Sequence, residues 1–263
     1  MLSEKKFIID GIKQGLRCDG RSPLVSRVVE ISQSTELLAS GSSQLSIELS
    51  SPHLICGIKT EIGEKPEISI SIEMAGKSSQ QTRDRLKEIS TILQTLLIDH
   101  IDKSQLLIIP DKKAWKVFID VLIVDENASS LCEQISLSVV FALEDMKIIG
   151  TEGFINKNTG EEFVQVTEDY WKLNMHDVPV IISINFIEDV MVLDLTEEEQ
   201  ACVDSTVHIS IDQSGKIRGM VKEGHGELSL GQIASVLSVA KDAGSQIFGS
   251  LHRKIVHYKI VST

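Results

Sequence analysis

The chain has 263 residues, of which 42% are hydrophobic, so it can form one large globular domain or two smaller ones around a full core. Its longest apolar runs, such as residues 178–187, are shorter than the roughly 20 residues that a membrane helix needs, and no basic-then-apolar leader opens the sequence. We therefore expect a soluble protein that is not secreted. The formal net charge of −12 excludes a broadly basic coat for nucleic acid, so any contact with nucleic acid is expected to be local.

The four cysteines are widely scattered and form no CxxC pair. This spacing indicates neither a zinc site nor a disulfide framework, and it predicts reduced thiols in the cytoplasm or nucleus. The cysteines are Cys18, Cys56, Cys132 and Cys202.

The N-terminal third begins with a predicted helix at 3–15, which Gly15 ends, followed by a turn at the Asp-Gly pair of RCDGR (17–21). The pattern then changes to period two, most strictly at 68–74, where isoleucine and methionine alternate with polar residues. This alternation predicts a meander of about four antiparallel strands with one solvent-facing side.

Helical periodicity follows, with an apolar stripe that begins at Leu86. The run WKVFIDVLIV at 115–124 predicts a central strand, because nearly every position is apolar. Residues 129–144 predict a second helix that is apolar on most of its circumference and therefore buried.

Residues 150–170 are polar and contain three glycines, which is typical of a connector. Strands are predicted again beyond it, and a long helix with a Ser229/Gln232 capping box is predicted to close the chain. The first half of the chain is predicted to contain strands and then helices, and the second half strands and then a helix. This order predicts an α+β protein with two similarly built halves. The predicted strands are 178–187, 190–195, 206–211 and 216–221, with DQSG as the turn between the last two.

The acidic stretch VLDLTEEEQ (192–200) follows an apolar run. Thr196 and Glu199 are spaced as a capping box, in which each side chain satisfies a free backbone N–H at a helix start. Glu197 and Glu198 would then lie favourably at the positive end of the helix dipole. Only Asp194, at the end of the strand, has no local explanation.

The usual catalytic and cofactor motifs are missing from the sequence, which has no GxxxxGK[ST], no strand-following GxGxxG, no HExxH and no GxSxG. We therefore expect no cofactor and no metal site. Aromatic residues make up only 4% of the chain, which disfavours base stacking as a means of recognition.

Two arginines are candidates for contact with nucleic acid. Arg83 and Arg85 lie just before the apolar stripe at Leu86, where the N–H groups of a helix start and the guanidinium forks could together bind a phosphate. A solvated charge pair with Asp84 and Glu88 explains the same pattern, and the sequence leaves both interpretations open.

Several stretches together resemble the RNase PH family, and within it the ring subunits of the eukaryotic RNA exosome. The similarity covers nearly the whole chain in matching order and implies an RNase PH-like fold, with two similar halves of mixed or antiparallel sheet packed with helices. It also implies an N-terminal helix and turn at 1–20 and one domain at 21–263, divided into halves at about 21–150 and 176–263 by a connector at about 150–175. The stretches are GLRCDGRSPLVSRVVEI (15–31), ASGSSQLSIEL (39–49), WKVFIDVLIVD (115–125), EQISLSVVFAL (133–143), VLDLTEEEQAC (192–202) and the final helix.

The resemblance also bears on catalysis. Active family members have an aspartate and a second acid six positions later; here Asp194 matches the first, but Gln200 stands at the second. A neutral amide neither binds metal as a carboxylate does nor acts as a general acid or base. Active members also carry a phosphate-binding Gly-Ser-Arg segment before the C-terminal half. The corresponding stretch of this chain, 150–163, contains no arginine. At the family's RNA-gripping arginine pair Arg85 matches, whereas Arg83 is offset.

The expectation is thus a subunit without catalytic residues that guides RNA and supports 3'-5' processing and degradation within the exosome ring. By resemblance its partners would be other RNase PH-like subunits in a hetero-hexameric ring, exosome cap subunits, an associated nuclease and RNA, but no membrane. The expected location is the nucleus, nucleolus and cytoplasm. An active phosphate-dependent 3'-5' exoribonuclease and a free-standing binding protein remain as alternatives.

Overall fold

The computed structural model describes residues 2–32, 39–47, 53–76, 79–124, 129–156, 160–251, 253, 255–257 and 259–260. The helices are α1 (Leu2–Lys13), α2 (Gln80–Leu96), α3 (Leu131–Asp145), α4 (Glu197–Gln200) and α5 (Leu230–Leu251), with 3-10 turns at Ile98–His100 and Lys103–Leu106. The strands are β1 (Val29–Ser32), β2 (Gly41–Ile47), β3 (Leu54–Gly63), β4 (Glu67–Met74), β5 (Leu107–Ile109), β6 (Lys113–Ile123), β7 (Ile148–Ile155), β8 (Glu162–Trp171), β9 (Val180–Ile187), β10 (Val190–Leu193), β11 (Ser205–Ile211), β12 (Ile217–Gly224) and β13 (Ile255–Val256).

The N-terminal half contains a mixed sheet in the order β13-β1-β2-β3-β6-β4, with β5 beside the start of β6. Its central strand is β6, as the run at 115–124 predicts. The prediction of an antiparallel meander is wrong for β4, which pairs with β6 in parallel and does not contact β3 as a ladder partner. Strand β6 has 11 residues and is the longest of the described strands. Because it lies between β3 and β4, the backbone groups on both of its edges are paired.

The C-terminal half contains an antiparallel sheet in the order β10-β9-β11-β12. Its four strands lie where the alternating pattern predicts them. Every residue of β9 is buried, because α3 packs on one of its faces and α5 contacts the same strand. The Asp212 carboxylate accepts hydrogen bonds from the backbone N–H groups of Ser214 and Lys216, which closes the predicted turn between β11 and β12.

Helix α3 lies between the two sheets and contacts β2 and β3 on one side and β9 on the other. Twelve of its residues, Cys132–Leu143, are buried, which confirms the prediction of a helix buried on most of its circumference. Its close packing depends on Gly41, where a Cβ would lie 2.7 Å from the Cα of Met146. As a result one continuous hydrophobic core joins the two halves.

Helix α2 begins six residues before the apolar stripe at Leu86, at Gln80, where the Ser79 side chain accepts a hydrogen bond from the Thr82 N–H. The prediction that Arg83 and Arg85 precede the helix is therefore wrong. The first turn is solvent-exposed and carries no apolar signal, so periodicity alone places the start too late. Arg85 lies in the second turn, beyond the free N–H groups of the helix start.

The segment predicted as a connector, 150–170, forms most of an antiparallel hairpin of β7 and β8. The chain also does not close on a helix, because β13 follows α5 and pairs with β1 at the edge of the N-terminal sheet. The capping box of α5 is confirmed: the Ser229 N–H donates to Gln232 and the Gln232 N–H donates to Ser229. Among the described helices, none is long and apolar enough to cross a bilayer.

Candidate functional site

Asp194 lies directly after β10 with a φ of 45°, a left-handed conformation that few residue types other than glycine, asparagine and aspartate tolerate. Its carboxylate is 8% exposed and accepts four hydrogen bonds from two arginines. Oδ2 accepts from the Arg27 N–H at 2.7 Å, from Arg27 Nε at 2.9 Å and from Arg21 Nη1 at 3.0 Å, while Oδ1 accepts from Arg27 Nη2 at 2.7 Å. Burial by itself raises the pKa of Asp194, but the hydrogen bonds and charge of Arg27 outweigh it, so the pKa lies below its usual value.

These contacts decide what the Asp194 carboxylate can do. Three donors reach Oδ2 and one reaches Oδ1, so most of the roughly four acceptor positions of this carboxylate are taken and its charge is shared by two guanidinium groups. With its pKa lowered it stays ionised near neutral pH, so it has no proton to donate. It serves as an anchor that holds Arg21 and Arg27 of the N-terminal segment against the end of β10.

Glu199, the third residue of α4, is fully buried beside Arg17. Arg17 Nε donates to Oε1 at 2.8 Å, and Arg17 Nη2 donates to Oε2 at 2.5 Å. Glu199 Oε2 also accepts from the Thr196 N–H at 2.9 Å, and the Glu199 N–H bonds to the Thr196 hydroxyl, which confirms the predicted capping box. The carboxylate therefore caps α4 and neutralises a buried arginine at the same time.

Three arginines from one segment thus converge on 193–199. Arg17 also donates to the carbonyl groups of Leu193 and Asp194, at 2.9 and 2.8 Å. The RxDGR motif carries Arg17 and Arg21, and the local pattern marks it only as a turn. Its pairing with the acidic stretch, more than 170 residues away, is beyond the reach of local sequence rules.

Beside this cluster lies a pocket of about 240 Å³ that brings Gln200 and Arg85 together. Asp194 and Arg83 are not among the residues that line it. Gln200 reaches the pocket from α4 and Arg85 from α2. The other polar side chains come from the start of α3 and from β9, β11, β12 and the segment before β11: Ser130, Ser183, Asn185, Asp204, Ser205, Thr206, His208 and Glu223.

The pocket wall carries a hydrogen-bonded chain of four side chains. Arg85 Nη1 and Nη2 donate to the two carboxylate oxygens of Glu223 at 2.8 and 2.9 Å. The Glu223 carboxylate can only accept hydrogen bonds, so His208 Nε2 is the donor in their contact at 3.0 Å. When Nε2 carries the proton of the neutral imidazole, His208 Nδ1 accepts a hydrogen bond from the Ser183 hydroxyl at 2.9 Å. Burial tends to raise the pKa of Glu223. The hydrogen bond from His208 and the two hydrogen bonds from Arg85 outweigh burial and lower this pKa to about 2.

The same contacts determine how much charge Arg85 offers to a ligand. Besides Glu223 it contacts Glu88, whose Oε2 lies 3.1 Å from Nη1. Two carboxylates therefore surround one guanidinium, and their hydrogen bonds raise the pKa of Arg85 despite its burial. Arg83 lies on the exposed surface of α2, where Nη2 makes a long hydrogen bond of 3.4 Å to Gln80.

The stretch at 150–163, where the resemblance implies a phosphate-binding segment, lies away from the pocket. The described residues of that segment belong to the β7–β8 hairpin and its turn, and none of them lines the pocket. The helix start that does face the pocket is that of α3, at 130–132, which carries serine, leucine and cysteine. Among the described pocket residues the cationic side chain is Arg85, already paired.

Sequence comparison gives this geometry a context. A family model described as "3' exoribonuclease family, domain 2" (RNase PH, C-terminal domain) matches residues 177–243, the part of the chain that contains β9 to β12 and the first half of α5. Two curated proteins named "Exosome complex component Rrp42" match over nearly their full length. That of Sulfurisphaera tokodaii is 26% identical over 97% of this chain and 95% of its own, and that of Thermococcus kodakarensis is 26% identical over 92% of each. Residues 177–243 thus match the C-terminal domain of the RNase PH family, and the whole chain is similar to exosome components.

Solved structures share the RNase PH fold. A chain of the "archaeoglobus fulgidus exosome with RNA bound to the active site" superposes with a TM-score of 0.71 at 18% identity, over 95% of this chain and 98% of that one. A chain of an "Archaeal exosome core" gives a TM-score of 0.68 at 19% identity, over 92% and 93%. The predicted α+β, RNase PH-like fold is confirmed.

Proposed function

We propose that this protein is a subunit of an RNA exosome ring that supports 3'-5' RNA processing and degradation without phosphorolytic activity of its own. The names of the curated relatives and the shared fold support membership of such a ring. The observation that carries the proposed lack of catalysis is that the Asp194 carboxylate is ion-paired with Arg21 and Arg27 outside the pocket lining, while Gln200 offers only an amide to the pocket.

The chemistry follows from these side chains. Phosphorolysis needs a bound phosphate as nucleophile and an acid or metal that assists departure of the RNA 3' oxygen. Asp194 has no proton to donate and its charge is already paired with two arginines, and the Gln200 amide does not transfer protons near neutral pH. The guanidinium of Arg85 is paired with Glu223 and Glu88, so the negative charge of these two carboxylates opposes an incoming phosphate.

The proposal extends to partners, RNA contact and location. We infer that other RNase PH-like subunits complete a hetero-hexameric ring, with cap subunits and a separate nuclease attached, in the nucleus, nucleolus and cytoplasm. Arg83 and Arg85 would contact RNA on its way through the ring. The exposed position of Arg83 supports its part in this, whereas the charge of Arg85 is partly offset by Glu223 and Glu88.

Two measurements test the proposal. Native mass spectrometry of the tagged protein, purified from its own cells, should detect an assembly of different RNase PH-like chains; a monomer or homo-oligomer would contradict the ring. The purified single chain should release no nucleotide from single-stranded RNA in the presence of phosphate. Release that requires phosphate and disappears in Asp194→Asn would instead support the alternative, an active phosphate-dependent exoribonuclease.

A further inference from the structure

His208 on β11 is a buried histidine that lines the pocket beside Arg85. Its side chain is 3% exposed and lies in the middle of the hydrogen-bonded chain, with the Ser183 hydroxyl at Nδ1 and the Glu223 carboxylate at Nε2. Histidine is the side chain whose charge ordinarily changes between pH 5 and 8. A change of charge at this position acts directly on the carboxylate that holds Arg85.

The partners of His208 suit both of its protonation states. In the neutral state Nε2 donates to Glu223 and Nδ1 accepts from the Ser183 hydroxyl. A proton added at Nδ1 makes that nitrogen a donor, and the hydroxyl can then rotate and accept, because a serine oxygen both donates and accepts. The contact with Glu223 is kept and becomes an ion pair. The ring therefore gains a proton without breaking either of its hydrogen bonds.

Other charged and titratable groups surround this chain of side chains. Those that line the pocket with His208 or contact its partners are Arg85 and Glu88 from α2, Cys132 and Glu133 from α3, Asp204 before β11 and Glu223 from β12. Burial raises the pKa of the Cys132 thiol, so it stays neutral across the range in which histidine titrates. Arg85 is the cationic member of this set while His208 is neutral, and a proton on His208 makes the set one unit more positive.

A proton on His208 weakens the hold of Glu223 on Arg85. Both donors to Glu223 are then cationic, so the charge of one carboxylate is divided between the imidazolium and the guanidinium. The Arg85 side chain is 40% exposed, which leaves it within reach of an anion from solvent. An anionic ligand of Arg85 should therefore bind more tightly when His208 is protonated.

We propose that His208 is a pH-sensitive control of RNA binding at Arg85, in which a proton on the imidazole draws Glu223 away from the guanidinium and strengthens its contact with an RNA phosphate. The inference rests on the proposed function, because it takes RNA as the ligand of Arg85. His208 acts through Glu223 and Arg85, so it is a positioning residue.

The first experiment measures binding of a fluorescent single-stranded RNA at pH 5.5 and 7.5, with the tagged full-length protein in the form in which it purifies from its own cells. The ratio of the Kd at pH 7.5 to that at pH 5.5 should be about fivefold larger for the wild type than for His208→Gln, which stays neutral at both pH values. His176→Gln is the matched control, since His176 is exposed and lies outside this pocket, and it should keep the wild-type ratio.

Salt dependence distinguishes a gain of charge from a change in structure. If the proton makes one more cation available to RNA, the slope of the logarithm of affinity against the logarithm of salt concentration should steepen by about 0.7 from pH 7.5 to pH 5.5. Arg85→Gln should lose both this steepening and most of the pH dependence. This variant at a partly exposed position also provides the test if His208→Gln does not fold or assemble.

The outcomes separate this inference from the proposed function. If Arg85→Gln binds RNA as tightly as the wild type at both pH values, the proposed RNA contact of Arg85 and its control by His208 are both wrong. If Arg85→Gln weakens binding but either it or His208→Gln keeps the full pH ratio, the control by His208 is wrong and the RNA contact stands. An equal loss of the ratio in His176→Gln also overturns the control by His208.

Discussion

Replacement of Asp194 with alanine tests whether its carboxylate is an anchor or a catalytic acid. The change removes four hydrogen bonds and leaves Arg21 and Arg27, which are 13% and 17% exposed, without their shared counter-charge. Loss of one partner from a buried ion pair costs about 3–5 kcal/mol of unfolding free energy. Arg21 keeps Asp19 at 2.6 Å, so we take the lower limit, about 3 kcal/mol, for this part.

The backbone adds a second contribution, since the φ of 45° at Asp194 suits aspartate or asparagine better than alanine by roughly 1 kcal/mol. Asp194→Ala should therefore lose about 4 kcal/mol, which corresponds to a fall in Tm of roughly 8–16 °C for a chain of this size. Asp194→Asn keeps the backbone preference and one acceptor oxygen, so we expect it to lose about half as much.

Thermal unfolding followed by circular dichroism measures these shifts. Asp189→Ala is the matched control: Asp189 is an exposed residue in the turn between β9 and β10, and we expect its replacement to change stability by less than about 0.5 kcal/mol. If Asp194→Ala unfolds at the same temperature as this control, the anchor role is wrong. Unchanged stability combined with loss of a phosphate-dependent RNA degradation seen in the wild type would mean that Asp194 is a catalytic residue.

Three further predictions follow from the same contacts. Glu199→Gln should cost about 3–5 kcal/mol of unfolding free energy because it leaves the buried Arg17 unpaired, whereas Arg17→Met/Glu199→Leu should recover at least half of that loss in urea denaturation; additive losses would contradict the pairing. The folded-state pKa of Glu223, about 2, lies below the ordinary value of 4.5, so its stabilisation is complete above pH 4.5 and disappears as the pH falls towards 2. Glu223→Gln should therefore flatten the dependence of Tm on pH across this range, and an unchanged slope would rule out its contribution. In the assembled ring, Arg85→Glu should reduce RNA protection from nuclease without loss of subunits, whereas Lys87→Ala, a neighbouring exposed residue, should not; equal protection in both would remove Arg85 from the RNA route.

Local patterns predicted the elements whose cause is local. The Thr196–Glu199 capping box depends on two side chains three residues apart, and the structure contains it as predicted. Helix α3 was predicted as buried because its apolar positions surround the helix axis, and it lies between two sheets. The start of α2 was misplaced because its first turn faces solvent and carries no apolar residue to reveal the period.

The candidate site was predictable only in part. Gln200 and Arg85 were identified by resemblance, and the structure places both in one pocket. His208 and Glu223 lie in alternating strands whose pattern predicts only the strand itself, so nothing in the sequence marked them as partners of Arg85. The sequence likewise does not show which helix start faces the pocket, because that depends on how the two sheets pack.

The sequence by itself predicted the α+β class and the positions of most helices and strands, because composition, periodicity and residue identity are local properties. Only the tertiary structure shows that β6 lies between β3 and β4. It alone also shows that the Asp194 carboxylate forms ion pairs with arginines from the N-terminal segment. Both depend on contacts between residues far apart in sequence, where a backbone edge or a buried charge is satisfied by whichever partner the fold brings near. In the acidic stretch at 192–200, the helix cap is thus explained by neighbouring residues, whereas the role of Asp194 is explained by its contacts with residues far away in the sequence.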